Sequence, residues 1–275
     1  MTEHHEDGRE AGRVETAQLI GLLKEHAHDA AHDQRLRWAI TGIECRAARM
    51  RRVRGRLADG AQGRENWWRT WGAPNVAVRI EVPFQAAEFH GGPDAPVTAS
   101  RVYTVATADA ARRELTVDLV VHEGDSPAMR WLRSVRPGDV VELSQPRQHR
   151  LPLVASDHVL LADSTGLPAA VSILTGMGLP SRVRLLARTA PDEVPELDGV
   201  EVTRLEGPLD RAFAALDLDG VDSVWGAAES GEMRPVRRLC RKGLGLPSEA
   251  TQVCGYWRRG VSNTRLDLDR LRLYR

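Results

Sequence analysis

Alternating apolar and polar positions run through the first half of the chain and predict short β-strands. Residues 45–57 alternate loosely around several arginines and predict one strand. Residues 101–107 predict another. The turn at 136–139 precedes a further strand at 140–143. The clearest alternation places an aliphatic side chain at every second position of 75–84 and 114–122, at Val76, Val78, Ile80, Val82, Leu115, Val117, Leu119 and Val121. Several short strands joined by turns are typical of a small antiparallel barrel.

After residue 152 the pattern changes, because short apolar strands now alternate with helical segments. The predicted strands cover 158–162, 182–187, 200–205 and 221–226, and the predicted helices cover 169–174, 210–216 and 232–241. Strands that alternate with helices predict a parallel, doubly wound sheet. The predicted fold class is therefore α+β with two domains, a small antiparallel β-barrel followed by an α/β parallel-sheet domain.

A polar segment and a helix precede the barrel. Residues 14–33 repeat apolar side chains at helical spacing, which predicts an amphipathic helix. His28 and His32 share one face of this helix, a spacing that suits a metal pair. No third ligand is fixed by spacing, so we prefer an incidental cluster on a solvated face and predict no metal site. The predicted domains are a helical extension, the barrel and the parallel sheet, at 1–36, 37–152 and 153–275.

Composition excludes several classes of protein. The 275 residues are 42% hydrophobic and 28% charged, which is typical of a globular protein with a buried core. Lys and Arg number 38, as do Asp and Glu, so a wholly basic nucleic-acid binder is not expected. The sequence has no apolar run long enough for a membrane span and no apolar signal segment near its start. Three widely spaced cysteines favour reduced thiols and a cytoplasmic location.

The balanced net charge hides a segregation of charges along the chain. Residues 35–64 contain nine arginines and two acids, whereas 192–222 contain ten acids and two arginines. One interpretation makes these segments solvated faces of different elements. The other makes the arginine-rich segment a basic surface that attracts an anionic ligand, such as a phosphate-bearing cofactor or an acidic chelate. A separate aromatic group, Trp67, Trp68 and Trp71, falls in a stretch without strand or helix pattern, where it either packs as a satellite core or walls a ligand pocket.

Four consecutive residues of one predicted strand have chemistry that suits a nucleotide cofactor. Tyr103 can lie against a flat ring system, Thr104 can hydrogen-bond a polar ring edge, and Arg101, two residues before Tyr103, can bind a phosphate bidentately. The alternative interpretation is that residues 101–104, including Val102, form an ordinary strand that exposes an arginine. Residues 126–128 begin a helix with an early proline, and a helix N-terminus is a suitable site for pyrophosphate.

Six segments in order resemble the siderophore-interacting protein family, flavin-dependent ferric-siderophore reductases of the ferredoxin-reductase-like superfamily. They are RVYT at 101–104, HEGDSPAMRW at 122–131, PGD at 137–139, DSTGLPA at 163–169, WGAAESGEMR at 225–234 and GYWRRG at 255–260. The resemblance implies a ferredoxin-reductase-type barrel that binds FAD and a parallel sheet that binds NAD(P)H. For FAD it implies Arg101, Val102, Tyr103, Thr104, His122, Ser126, Pro127, Ala128 and Thr165. For the nicotinamide side it implies Asp163, Glu229, Tyr256 and Trp257.

Several positions depart from the family pattern. Alanine or a polar residue replaces a family glycine at Glu123, Ser126, Ala162 and Ala228, while Met129 replaces a serine and Ser164 a glutamate. We expect the methyl groups of Ala162 and Ala228 to lie beside strand ends that face the flavin, which predicts slow turnover of nicotinamide. The alternative is that both methyl groups point into the core.

Two functions remain open at this point. The first is an NAD(P)H-dependent flavin reductase that acts on an anionic ferric chelate, in which the cofactor carries the chemistry and no acid–base pair is needed. The second is a non-redox member of the same fold, a tailoring enzyme or binding protein of a biosynthetic pathway. The intact RVYT and GYWRRG segments favour the first, and the replaced glycines favour the second.

Overall fold

The structure is a computed structural model that describes residues 35–58, 67–85, 96–179, 182–259 and 265–266. The predicted helix at 14–33 and its histidines lie outside the described residues. The described residues from Leu36 onward form one compact unit, which contains both the barrel and the parallel sheet.

Six antiparallel strands close the barrel. The elements up to the parallel sheet are β1 (Leu36–Ala47), β2 (Met50–Leu57), α1 (Trp67–Trp71), β3 (Val76–Gln85), β4 (Pro96–Asp109), β5 (Glu114–Val120), α2 (Pro127–Ser134), β6 (Val140–Leu143) and β7 (Arg147–Gln148). Neighbouring strands follow the order β1-β2-β5-β4-β3-β6 and return to β1, so the ring leaves no open edge. Short β7 extends the sheet from β3, and the late strand β13 (Arg265–Leu266) pairs with β4.

Alternation along the strands fills the barrel as predicted. Every aliphatic residue expected to point inward from 75–84 is buried, as are the first three expected from 114–122; Val121 is partly exposed because β5 ends at Val120. Trp71 on α1 is also buried in this core, with Trp68 packed against it. The tryptophan stretch therefore forms a short helix where no regular element was predicted, and these two side chains pack as core.

The prediction of one continuous strand at 45–57 is wrong, because Cys45 belongs to β1 and Leu57 belongs to β2. A hairpin turn at Ala48 and Arg49 separates β1 from β2, and the register of the pair is irregular near Ile40 and after Cys45. The turn contains neither glycine nor proline, and arginines occur on both of its sides. Nothing in the local pattern therefore marks a break.

The second half of the chain forms a parallel sheet, as predicted, but the sheet has five strands and the last of them, at Thr251–Trp257, was not predicted. Its elements are β8 (Asp157–Asp163), α3 (Leu167–Met177), β9 (Arg182–Arg188), β10 (Val200–Arg204), α4 (Leu209–Ala214), β11 (Ser223–Glu229), α5 (Ser230–Arg238) and β12 (Thr251–Trp257). A π-helical turn, Leu239–Gly243, extends α5. The strand order is β10-β9-β8-β11-β12, so the direction of winding reverses at β8 and β11. Ligands of such sheets bind outside the carboxyl ends of the strands, near the reversal point.

A close approach between α3 and the sheet shapes the turn at that reversal point. At Gly166 a side-chain Cβ would stand 1.9 Å from the carbonyl oxygen of Ala227 on β11. Only glycine therefore lets the turn after β8 lie directly against β11. This contact holds the first residues of α3 at the carboxyl edge of the sheet.

Candidate functional site

The strand β4 presents Arg101 and Tyr103 on one face. Tyr103 stands opposite Val78 and Arg101 opposite Ile80 in the pairing with β3. Tyr103 packs partly against the barrel core, and burial raises the pKa of its phenol to about 12. Burial likewise lowers the pKa of the half-buried Arg101, whose Nη1 donates to the Ser100 carbonyl oxygen at 3.1 Å. A neutral aromatic ring and a poorly solvated cation fit a flavin ring and its phosphate, since a phosphate would restore the lost solvation of the guanidinium.

Val102 and Thr104 occupy the opposite face of β4, because successive side chains of a strand alternate. Val102 is 45% exposed, whereas Thr104 is 7% exposed. Helix α3 of the parallel sheet also contacts β4. The RVYT strand therefore lies where the barrel meets the parallel sheet.

The loop before α2 is held in one conformation by its own side chains. Ser126 is the N-cap of α2 and accepts a hydrogen bond from the Met129 N–H at 3.4 Å, and Pro127 occupies the first turn. The His122 N–H in turn donates to Met129 Sδ at 3.5 Å. Ala128 is buried together with Pro127 and Met129. The serine that replaces a family glycine thus caps the helix, and α2 itself contacts β3 and β4.

A cavity of about 290 Å³ opens beside this loop. It is lined by Arg51, Val121, His122, Met129, Leu132 and Arg133. Two guanidinium groups and an imidazole on an otherwise apolar wall suit an anionic ligand that also carries a flat apolar part. Together with the Tyr103 ring and the half-buried Arg101, the residues present fit FAD.

At the carboxyl edge of the parallel sheet, the carboxylate of Asp163 accepts several hydrogen bonds. Asp163 ends β8, and its Oδ1 accepts from the Thr165 N–H at 2.9 Å and from Thr165 Oγ1 at 2.5 Å. Its Oδ2 accepts from Trp257 Nε1 at 2.7 Å, and Arg188 Nη2 lies 3.6 Å away. The structure therefore brings together three of the predicted residues, one from each of β8, the following turn and β12. Arg188, which the sequence analysis did not identify, joins them from β9.

Glu229, at the end of β11, caps α5. Although burial opposes ionisation, backbone hydrogen bonds from Arg259, Gly231 and Glu232 bring the pKa of Glu229 below its ordinary value. Its carboxylate accepts hydrogen bonds from the N–H groups of Glu232 and Arg259, both at 3.2 Å, and of Gly231. Glu229 therefore remains ionised and stabilises the positive end of the helix.

Tyr256 on β12 lies among the core side chains of the parallel sheet, near the barrel. Burial raises the pKa of its phenol, and a side-chain hydrogen bond with Asn75 acts in the opposite direction. Asn75 immediately precedes β3 and is buried. The sequence analysis missed this asparagine because nothing in the local pattern sets it apart from any other polar residue before a strand.

The expectation for Ala162 and Ala228 is wrong, and the alternative holds. Both side chains are fully buried, Ala162 in the core that contains Leu160 and Trp225, and Ala228 in the core on the other face of the sheet. Their methyl groups thus fill core space and do not face a ligand. Ser164, which replaces a family glutamate, donates its Oγ proton to Glu193 Oε2 at 2.5 Å.

Much of the charge segregation has a structural explanation. On the barrel, Arg52 forms a bidentate pair with Asp118 at 2.7 and 2.8 Å, which raises the pKa of Arg52. The β1–β2 turn docks on the parallel sheet, where the Ala48 N–H donates to Asp192 Oδ2 at 2.8 Å. Arg49, in the same turn, is exposed. Part of the arginine-rich segment is therefore internally paired and part remains at the surface.

No helix among the described residues is long and apolar enough to cross a membrane. In the same part of the chain, no group of three or more His, Cys, Asp or Glu side chains is arranged to hold a metal ion.

Comparison with known proteins matches both halves of the chain. Residues 70–150 match the siderophore-interacting FAD-binding domain, and residues 155–260 match the siderophore-interacting protein model. A ferric acinetobactin reductase of Acinetobacter baumannii is 31% identical over 267 residues, which is 92% of this chain and 88% of that protein.

Two solved structures are also similar. The siderophore-interacting protein from A. baumannii has a TM-score of 0.71 and 28% identity, and the match covers 88% of this chain and 96% of that one. A siderophore utilization protein from T. fusca has a TM-score of 0.66 and 28% identity, with 84% and 95% covered. These relatives share the order of barrel and parallel sheet along almost their whole length.

Proposed function

The chain belongs to the siderophore-interacting protein family, and from that premise we propose that it is an FAD-dependent reductase that takes electrons from NAD(P)H and reduces the iron of a ferric siderophore. The observation that carries the proposal is the conjunction of two sites in one compact unit. The barrel carries Arg101 and Tyr103 on β4 and a cavity at His122, and the parallel sheet holds the Asp163 cluster at its winding reversal.

Each group of residues has a distinct part in binding. The Tyr103 ring offers a flat neutral surface for the isoalloxazine, and Arg101 neutralises a phosphate. The cavity beside His122 accommodates a further part of the cofactor. At the sheet, the Asp163 carboxylate fixes the side chains of Thr165, assigned to the flavin, and Trp257, assigned to the nicotinamide, so that both are preorganised.

When held by Arg101 and Tyr103, FAD would supply the redox chemistry, which is hydride acceptance from NAD(P)H and single-electron transfer to ferric iron. The overall change converts one NAD(P)H and two Fe(III) ions into one NAD(P)⁺, one proton and two Fe(II) ions. Hard oxygen ligands hold Fe(II) less tightly than Fe(III), so the reduced chelate releases its metal. This chemistry needs no side-chain acid or base, which agrees with the structural role of Glu229 as a helix cap.

The substrate in this proposal is a small anionic ferric chelate, attracted by the exposed Arg49 of the β1–β2 turn. A cytoplasmic location belongs to the same proposal, because NAD(P)H is supplied there. Neither nucleic acid nor a membrane takes part in it.

FAD titration of the apoprotein, followed by flavin fluorescence, tests the cofactor site. Arg101→Ala removes a charged hydrogen-bond donor and is expected to weaken binding by about 1–3 kcal/mol, or roughly 5- to 150-fold. Tyr103→Ala is expected to weaken binding as well, because it removes the ring surface. Arg112→Ala is the matched control, since this exposed arginine in the β4–β5 turn pairs only loosely with Asp109, at 3.7 Å. Equal affinities for wild type and both site variants would refute the assignment.

A further inference from the structure

Asn75 occupies an unusual position between the barrel and the parallel sheet. It is 1% exposed, and its φ of 53° lies in the left-handed region that residues other than glycine, asparagine and aspartate rarely adopt. Among the described residues only Arg113, in a surface turn, shares this feature without being glycine. A buried residue held in such a conformation requires surroundings that determine it strongly.

The contacts of Asn75 reach three different parts of the structure. Its Nδ2 donates to the Arg150 carbonyl oxygen at 2.8 Å, in the segment that leads from the barrel to β8. Its N–H donates to Ser172 Oγ on α3 at 3.1 Å, and its carbonyl oxygen accepts the His149 N–H at 2.8 Å. Its side chain also interacts with the hydroxyl group of Tyr256 on β12. One side chain and its own peptide groups therefore join a barrel strand to two elements of the parallel sheet.

The same junction includes a tryptophan of the sheet. Trp225 on β11 donates its Nε1 proton to the Arg150 carbonyl oxygen at 3.0 Å, so this oxygen accepts from both domains. Pro74, next to Asn75, lies so close to α3 that a Cβ on Gly176 would stand 2.8 Å from the proline ring. The junction is thus closely packed, and a shift of Asn75 has to move either α3 or β12.

We propose that Asn75 is a positioning residue for electron transfer, which fixes the orientation of the barrel against the parallel sheet and holds Tyr256 in place on the nicotinamide side. The inference rests on the function proposed above. Asparagine suits this position because it combines tolerance of the left-handed conformation with an amide donor. Since the flavin residues lie on the barrel and the nicotinamide residues on the sheet, the junction sets the distance between the two rings.

Asn75→Gly is the informative variant. Glycine adopts a positive φ without cost, so the fold is retained, while the bond to Arg150 and the interaction with Tyr256 are lost. FAD affinity is expected to stay within about twofold of wild type, because Arg101 and Tyr103 belong to the barrel alone. The limiting rate of flavin reduction by NADH or NADPH is expected to fall by about 10- to 100-fold, since a misplacement of about 1 Å costs up to 10²-fold. Arg113→Gly is the matched control. It places glycine at the other non-glycine position with positive φ among the described residues, and this position is far from the junction in sequence.

Two further readouts separate positioning from general stability. The long-wavelength absorbance produced when nicotinamide and flavin rings stack is expected to weaken in Asn75→Gly and to persist in Arg113→Gly. In the apoprotein, hydrogen exchange is expected to accelerate at 147–150, α3 and β12 of Asn75→Gly and to remain unchanged elsewhere. Tyr256→Phe combined with Asn75→Gly is expected to lower the limiting rate of flavin reduction by less than the product of the two single effects. Both changes remove the same interaction between the two side chains.

Three results would overturn the inference. One is an unchanged limiting rate and stacking absorbance in Asn75→Gly. Another is a parallel loss of FAD affinity, which would place the role of Asn75 within the barrel. The third is unchanged hydrogen exchange at the junction, which decides the question even if neither nucleotide reduces the wild-type flavin. If neither nucleotide reduces the wild-type flavin, the proposed function is refuted, but the inference that Asn75 links the barrel to the parallel sheet is not.

Discussion

Removing the methyl groups of Ala162 and Ala228 is expected to cost stability and to leave flavin reduction unchanged. Each side chain is fully buried, and the two lie in cores on opposite faces of the parallel sheet. Deleting one buried methyl group costs about 0.8 kcal/mol, and glycine within a strand costs about 0.5–1 kcal/mol more. Each substitution is therefore expected to cost about 1.5 kcal/mol, and the double variant about 3 kcal/mol. For a chain of this size, that loss lowers Tm by roughly 6–12 °C.

The assay combines thermal unfolding of the double variant with anaerobic stopped-flow reduction by NADH and NADPH. Ala111→Gly is the control, because Ala111 is exposed in the β4–β5 turn. A faster reduction of the double variant with no loss of Tm would refute the reasoning, since it would mean that the methyl groups obstruct the ligand. If neither protein is reduced although both hold FAD, the non-redox interpretation becomes the better one.

Two further predictions rest on contacts in the structure, and a third concerns the segment before the barrel. Because native Tyr103 keeps its proton to about pH 12 and the unfolded chain loses it near 10, the free energy of unfolding is expected to fall as pH rises from 10 to 12, and urea unfolding of Tyr103→Phe should show a smaller fall. Gly166→Ala is expected to cost about 3 kcal/mol in urea unfolding, whereas Gly207→Ala, with no atom near the added methyl group, should cost far less. Deletion of residues 1–34 is expected to leave FAD affinity unchanged by fluorescence titration; loss of folding would show that this segment is core.

Strong periodicity allowed much of the fold to be predicted from the sequence. The alternation in β3 and β5 indicated which side chains fill the barrel, and the strand–helix alternation after residue 152 indicated a parallel sheet. In both cases the signal is the burial of one face, which the sequence encodes directly. The β1–β2 hairpin was missed because its turn lacks glycine and proline, and its tip is held by a contact with Asp192, 144 residues away.

The site was only partly accessible from the sequence. The resemblance indicated Asp163, Thr165 and Trp257, and the structure joins their side chains. It could not indicate Arg188 or Asn75, because their contacts are made between elements far apart in the chain. The direction of the Ala162 and Ala228 methyl groups was likewise undetermined, since buried parallel strands are apolar on both faces.

Anaerobic electron counting tests the central claim most directly. The FAD-loaded protein is mixed with NADH or NADPH, the visible flavin absorbance is followed, and a ferric siderophore is then added with a chelator that reports Fe(II). We expect the absorbance to bleach with at least one nucleotide and to return on addition of the chelate, with two Fe(II) ions formed for each NAD(P)H consumed. A protein that holds FAD but neither bleaches with either nucleotide nor yields Fe(II) would contradict the account.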